Sequence, residues 1–193
     1  PMALQRMIPD YTASLEASTE GACEDGACEP EHEVQASTDF AQCARSGAKD
    51  CGTLPAIGAT EWLNSLGEPH GTVTLVDFWS SSCVNCAREI PEVERIYEKY
   101  KDAGLVVIGV HSPQQAHERE ASVVSGAASR LGITYPVALD PELEAFKAYG
   151  ANAWPTHYLA GPDGQLRSMG RGTSGLEEQI RNLLTEAGAS LPN

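Results

Sequence analysis

Two cysteines separated by two residues, Cys83-Val84-Asn85-Cys86, constrain this chain more than any other feature. Before them runs Val73-Thr74-Leu75-Val76-Asp77-Phe78-Trp79, rich in β-branched and aromatic residues and stopped by Ser80-Ser81-Ser82. This run reads as a strand buried on both faces. After it a helical pattern opens at Val84. At a helix N-terminus, two residues between cysteines let the sulfurs meet as a disulfide with little backbone movement. The arrangement also leaves Cys83 where free N–H groups and the helix dipole favour a thiolate. Cys83 is therefore expected to be exposed and nucleophilic. Cys86, one turn further, is expected to be buried and to resolve the mixed disulfide.

The remaining composition sets the context for such a pair. A chain of 193 residues, 41% of them hydrophobic, supports one compact α/β domain plus an extension. Apolar stretches such as Leu105-Val106-Val107-Ile108-Gly109-Val110 are far shorter than the ~20 residues of a membrane helix. No signal-peptide pattern opens the chain, but it begins Pro1-Met2 and reads as an excised domain, so missing export or anchoring segments carry no weight. A net charge of −14 disfavours nucleic acid and anionic membrane surfaces as partners. Half of that charge lies in residues 1–52, where ten acids face three bases.

The six cysteines fall, in sequence order, into three local pairs: Cys23–Cys28, Cys43–Cys51 and Cys83–Cys86. The first two read as structural staples of small loops. A second redox relay is the competing reading, and a zinc site on Cys23, Cys28, His32 and Cys43, at the edge of the usual ligand spacing, is a further one. Four cysteines in a polar segment suit an oxidising, extracytoplasmic compartment.

The chain divides into an acidic, cysteine-rich extension or linker (1–52) and a domain (53–190). Segment 19–33 lacks the apolar content to offset its ordering entropy. A short helix is expected around 34–44, with Val34, Phe40 and Ala41 as candidate contacts. Thr60 is expected to cap a helix over 61–66 that ends at Gly67. Then follow the strand 73–79, a helix from 84 to about 101 closed by Gly104, a strand over 105–111 and a helix over 114–131 closed by Gly132. A short strand over 136–139 and a helix from 141 to 149 follow. A strand over 156–159, a tight turn at 161–164 and its hairpin partner over 165–171 precede the last helix, capped by Thr173 or Ser174. Strands alternating with helices predict parallel βαβ units, and the hairpin adds an antiparallel edge.

Three further residues bear on the chemistry. Asp77 interrupts an apolar strand six positions before Cys83; buried there, it could exchange a proton with Cys86. Pro91 lies inside the helix and must bend it. Pro155 precedes a β-rich run, and X-Pro is the one common site of a cis bond; such a loop would offer backbone groups to a peptide strand. His111 ends a strand and reads as structural or surface-exposed, and Ser80 and Ser82 as helix caps.

Together these residues carry a resemblance. Asp77-Phe78-Trp79, Cys83-x-x-Cys86 and Pro91 resemble the thioredoxin core motif, and Glu89 extends it to C-x-x-C-x-x-E-x-P, similar to the TlpA-like branch of extracytoplasmic thiol-disulfide oxidoreductases. The blocks Ile108 to Pro113, Gly132 to Ala138 and Trp154 to Leu159 resemble, in order, the thioredoxin-like domain of DipZ-type proteins. The resemblance implies a thioredoxin-like fold, a central mixed sheet with helices on both faces. It implies exchange with protein disulfide substrates, with Cys83 attacking, Cys86 resolving, and Asp77 and Glu89 handling protons. Trp79, Trp154, Pro155 and Thr156 would meet the substrate chain. It further implies a CcdA-like membrane electron donor, a membrane tether in the full-length protein, and no cofactor or metal. The Val84-Asn85 dipeptide lacks the proline of thioredoxin itself, which leaves the direction of transfer open, and the segment 19–52 is not part of the family core.

Two other readings compete. Ser80-x-x-Cys83 resembles a peroxiredoxin motif, with Cys83 as peroxidatic thiol, but Val76 stands where that motif has proline. A Sco-like copper-binding assembly protein would use both thiols with His111 or His157, but there three residues separate the cysteines.

Overall fold

The structure is a computed structural model that describes residues 40–46, 51–65, 67 and 70–192. Among them six strands form one mixed sheet: β1 (Trp62–Leu63), β2 (Val73–Trp79), β3 (Leu105–His111), β4 (Val137–Leu139), β5 (Thr156–Ala160) and β6 (Leu166–Gly170), in the order β1-β4-β3-β2-β5-β6. β2 is central, parallel to β3 on one side and antiparallel to β5 on the other. β3 and β4 are parallel, and β1 and β6 close the edges in antiparallel fashion. The expected thioredoxin-like architecture is present.

Alternation along β2 sends its side chains to two separate cores. Val73, Leu75 and Trp79 pack with helices α2 (Val84–Tyr100), α3 (Ala121–Leu131) and α5 (Leu176–Glu186). Val76 and Phe78 pack with helix α1 (40–46 in the described residues), with α4 (Glu144–Ala148) and with Tyr149 and Tyr158. In α2 the buried residues are Cys86, Ile90, Val93, Ile96 and Tyr100, a stripe at intervals of three and four that lays one helix face on the sheet. Pro91 lies inside α2, which continues on both sides of it.

Several expected elements differ. Residues 61–65 do not form the expected helix: Trp62 and Leu63 pair with Ala138 and Val137, and Asn64 turns the chain at φ 60. The Asn64 amide donates to the carbonyls of Ile133 and Tyr135, at 3.1 Å each, so long-range partners replace local helical bonds. The helix expected over 114–131 is split into a 3₁₀ turn, Ala116–Arg119, and α3, because Glu118 turns inward. Leu143, at φ 63, shortens the next helix to α4, and Gly175 rather than Thr173 or Ser174 caps α5. Of the helix expected around 34–44, residues 40–44 are helical, and the rest lies outside the described residues.

Candidate active site

Cys83 and Cys86 are joined as a disulfide, with Cα atoms 5.2 Å apart. Cys83 is the N-cap of α2, and its Sγ accepts the Cys86 N–H at 3.1 Å. A sulfur in this position faces the unpaired donors and positive end of a long helix. Cys86 is 1% exposed, as expected. Cys83 is 9% exposed, more sheltered than the expected open nucleophile, because it packs at the rim of the α2 core in the disulfide-bonded form. Val84, between them, projects into solvent.

Asp77 is buried on the β2 face that α2 covers, between Leu75 and Trp79. The β2–β5 register sets His157 directly opposite it. His157 Nδ1 and Asp77 Oδ1 lie 3.1 Å apart, in ion-pair contact but off the line of a hydrogen bond. The other ring nitrogen, Nε2, is 3.2 Å from Glu89 Oε2. Glu89 stands one turn after Cys86 on α2 and keeps 24% of its side chain exposed. Burial pulls the His157 imidazole toward its neutral form, but the carboxylates of Asp77 and Glu89 more than reverse this, so its pKa lies above the ordinary histidine value.

On the other side Asp77 pairs with Gly109 of β3. A Cβ at Gly109 would lie 2.8 Å from Tyr135 Cε2 and 3.2 Å from Trp79 Nε1, so glycine leaves room for both rings. Burial and the nearby carboxylates of Asp77 and Glu94 push the Tyr135 phenol well above its usual pKa.

A second network holds the serine segment before the thiols. The buried Glu118 Oε2 accepts from Ser80 Oγ and from the Gln114 N–H, each at 2.8 Å. His111 Nε2 accepts the Ser81 N–H at 3.1 Å, and its ring meets Trp79 edge-on at 4.8 Å. His111 is thus buried rather than exposed, and Ser80 anchors the loop rather than capping the helix, which Cys83 does. Burial drives the His111 pKa down to about 4, against a smaller upward pull from Glu118.

The Trp154–Pro155 peptide is cis, and the Thr156–Phe78 register places it just past the carboxyl end of β2. Of the residues expected to meet a substrate, Trp154 is half-buried and stacks on Phe146 at 4.5 Å. Pro155 and Thr156 are buried, and Thr156 Oγ1 donates to the Ala153 carbonyl. Trp79 has no exposed surface; it lies in the same core as both thiols and presents no face to a docking chain. Cys43 and Cys51 are bonded, whereas Cys23–Cys28 lies outside the described residues.

Sequence reasoning considered His157 only as a copper ligand and missed its place between the carboxylates. The available signal was a second titratable residue inside an apolar run, as with Asp77. Both candidate copper-binding histidines are engaged otherwise, His111 with a backbone N–H and His157 with two carboxylates.

Known proteins share this architecture. Residues 54–169 match the family model described as AhpC/TSA family. The chain is 39% identical to Protein DipZ of Mycobacterium tuberculosis over 100% of its own length, and spans 30% of that protein. It is 31% identical to the thiol-disulfide oxidoreductase YkuV of Bacillus subtilis, over 67% of this chain and 91% of that one. The solution structure of a thioredoxin-like protein in the oxidized form superposes with a TM-score of 0.63 at 29% identity, covering 70% of this chain and 96% of that one. The chain belongs to the AhpC/TSA family, as a thioredoxin-like domain of the thiol-disulfide oxidoreductase kind.

Proposed function

We propose that this domain exchanges disulfides with extracytoplasmic proteins through Cys83 and Cys86, as a reductase fed by a CcdA-like membrane donor. The observation that carries the reading is the Cys83–Cys86 pair at the N-terminus of α2, with Cys83 as the cap. In the reduced form the Cys83 thiolate attacks a substrate disulfide, Cys86 then displaces the substrate, and Asp77 takes the Cys86 proton. Glu89 completes the proton machinery, and Trp154 with the Pro155–Thr156 backbone receives the substrate chain. The Cys43–Cys51 disulfide suits an oxidising compartment. The resemblance to DipZ-type proteins, which implies a CcdA-like membrane donor, and the 39% identity to Protein DipZ, of which this chain spans 30%, support that part of the reading. The acidic segment 1–52 is an extension of the redox domain, and its described part, α1, docks on that domain.

Cys83→Ser is expected to abolish dithiothreitol-driven insulin reduction, and Cys86→Ser to accumulate mixed disulfides visible on non-reducing gels. Full activity in Cys83→Ser would end the reading. Titration of the pair against glutathione buffers is expected to give a reducing potential; an oxidising one reverses the direction of transfer. Rapid turnover of hydrogen peroxide by the reduced protein would favour a thiol peroxidase instead.

A further inference from the structure

His157 belongs to no part of the exchange described so far, yet among the described residues its ring is the group that touches both acids of the site. It is buried, its Nδ1 faces Asp77 at 3.1 Å, and its Nε2 faces Glu89 at 3.2 Å. Each contact comes from a different element, so β2, β5 and α2 converge on this ring. A buried carboxylate without a compensating charge is costly and takes up a proton instead. We propose that His157 is the positioning residue of the redox pair: its ring joins Asp77 and Glu89 into one charged unit that holds Asp77 ionised and oriented to accept the Cys86 proton.

This rests on the reading of Cys83 and Cys86 as the exchanging pair. In the step concerned, the Cys86 S–H bond breaks and its proton goes to the Asp77 carboxylate. The Cys86 sulfur electron pair forms a bond to Cys83 Sγ. The bond from Cys83 to the substrate sulfur breaks, and its electron pair leaves with the substrate as a thiolate. The two cysteines are oxidised by two electrons, and the substrate disulfide is reduced by two. His157 touches neither sulfur in this scheme; it acts through Asp77.

The surroundings of the ring fit the assignment. From β2 it meets Asp77, and from α2 Glu89. From the segment after β6, Arg171 lines with it a cleft of about 110 Å³, whose other polar side chains, Ser168, Ser174 and Gln179, are neutral. Tyr135 faces Asp77 from the β4 side with its phenol held protonated, so it adds no charge. Glu89 is the partly exposed end of the unit, and Gly172 borders it: a Cβ there would lie 4.0 Å from Glu89 Oε1.

The test is the pH profile of insulin reduction. Removing the cation makes Asp77 easier to protonate, so His157→Gln is expected to move the acidic limb up by about one pH unit and, at pH values on that limb, to slow turnover about tenfold. In the double variant His157→Gln with Glu89→Gln, loss of the negative neighbour is expected to recover part of that displacement, which a merely structural role would not do. Alkylation of reduced Cys83 by iodoacetamide is expected to keep its wild-type rate in His157→Gln. A folded His157→Gln protein with an unmoved acidic limb overturns the proposal. An NMR titration of the wild-type His157 ring needs no variant: titration at or below the ordinary histidine value overturns the proposal as well. If the thiol-exchange reading itself is wrong, Cys83→Ser stays active; if only this inference is wrong, Cys83→Ser is inactive and the His157→Gln profile is unchanged.

Discussion

His111 shows how much one buried ring can depend on remaining uncharged. Its Nε2 serves as acceptor for the Ser81 N–H, a role that a protonated ring cannot fill. The folded protein takes up this proton only near pH 4, whereas the unfolded chain does so at 6.5. Between these values the unfolded state binds more protons, so stability falls as the pH falls through that window. At about 1.4 kcal/mol per pH unit, the loss amounts to roughly 3–4 kcal/mol at most. Urea unfolding at pH 7 and pH 4.5 is expected to show a smaller difference for His111→Gln than for the wild type; equal differences would refute the assignment. His157 works in the opposite sense. Its raised pKa contributes stability that is complete below the ordinary histidine value and fades as the pH climbs through the folded one. Asp77 was legible in the sequence because a carboxylate in an apolar strand stands out. Its relation to His157 was not, because 80 positions separate them and only the strand register brings them face to face.

At the scale of elements, α1 demonstrates integration that composition hides. It follows an acidic stretch with few apolar residues, yet Phe40 packs edge-on against Tyr149 at 5.8 Å and lies within the aromatic group around Phe78 and Tyr158. Gly150, at φ 69, allows the approach: a Cβ there would sit 2.6 Å from the Ala41 carbonyl oxygen. Phe40→Ala is expected to cost about 3 kcal/mol and lower the melting temperature by roughly 6–12 °C. The potential of the Cys83–Cys86 pair is expected to stay put, since α1 and α2 cover opposite faces of the sheet. Calorimetry beside a glutathione titration checks both, and an unchanged melting point would mean that α1 carries no packing energy. The long elements β2, α2 and β3 were readable because their apolar periods are sustained over a full strand or several helical turns. β1 was not, since two residues form no period and their conformation is set by β4. The break before α3 escaped as well, because Glu118 looks like an ordinary surface acid until Ser80 and the Gln114 N–H are seen to hold it.

For the whole molecule, 27 acids against 13 bases create a field that acts on partners before any contact forms. At low ionic strength the reduced protein is expected to act on a cationic disulfide peptide about tenfold faster than on an anionic peptide of equal length. In about 1 M salt, where the screening length is near 3 Å, the two rates should converge. A preference that persists in high salt would assign selectivity to close contacts at the docking edge instead. No helix among the described residues is long and apolar enough to cross a membrane.

The facing of Asp77 and His157 across β2 and β5 has a consequence for how the sheet assembles. Strand pairing has a period of two, so a slip of one residue turns a side chain to the opposite face. A slip here would strand an acid in one core and an imidazole in the other, each without its counter-charge, at a cost of several kcal/mol. Apolar side chains on both faces of β2 penalise such a slip only weakly, because each core would still receive Val, Leu or Phe. The charged pair therefore works as a register lock: a misaligned β2–β5 pairing is rejected by electrostatics where hydrophobicity alone would let it pass.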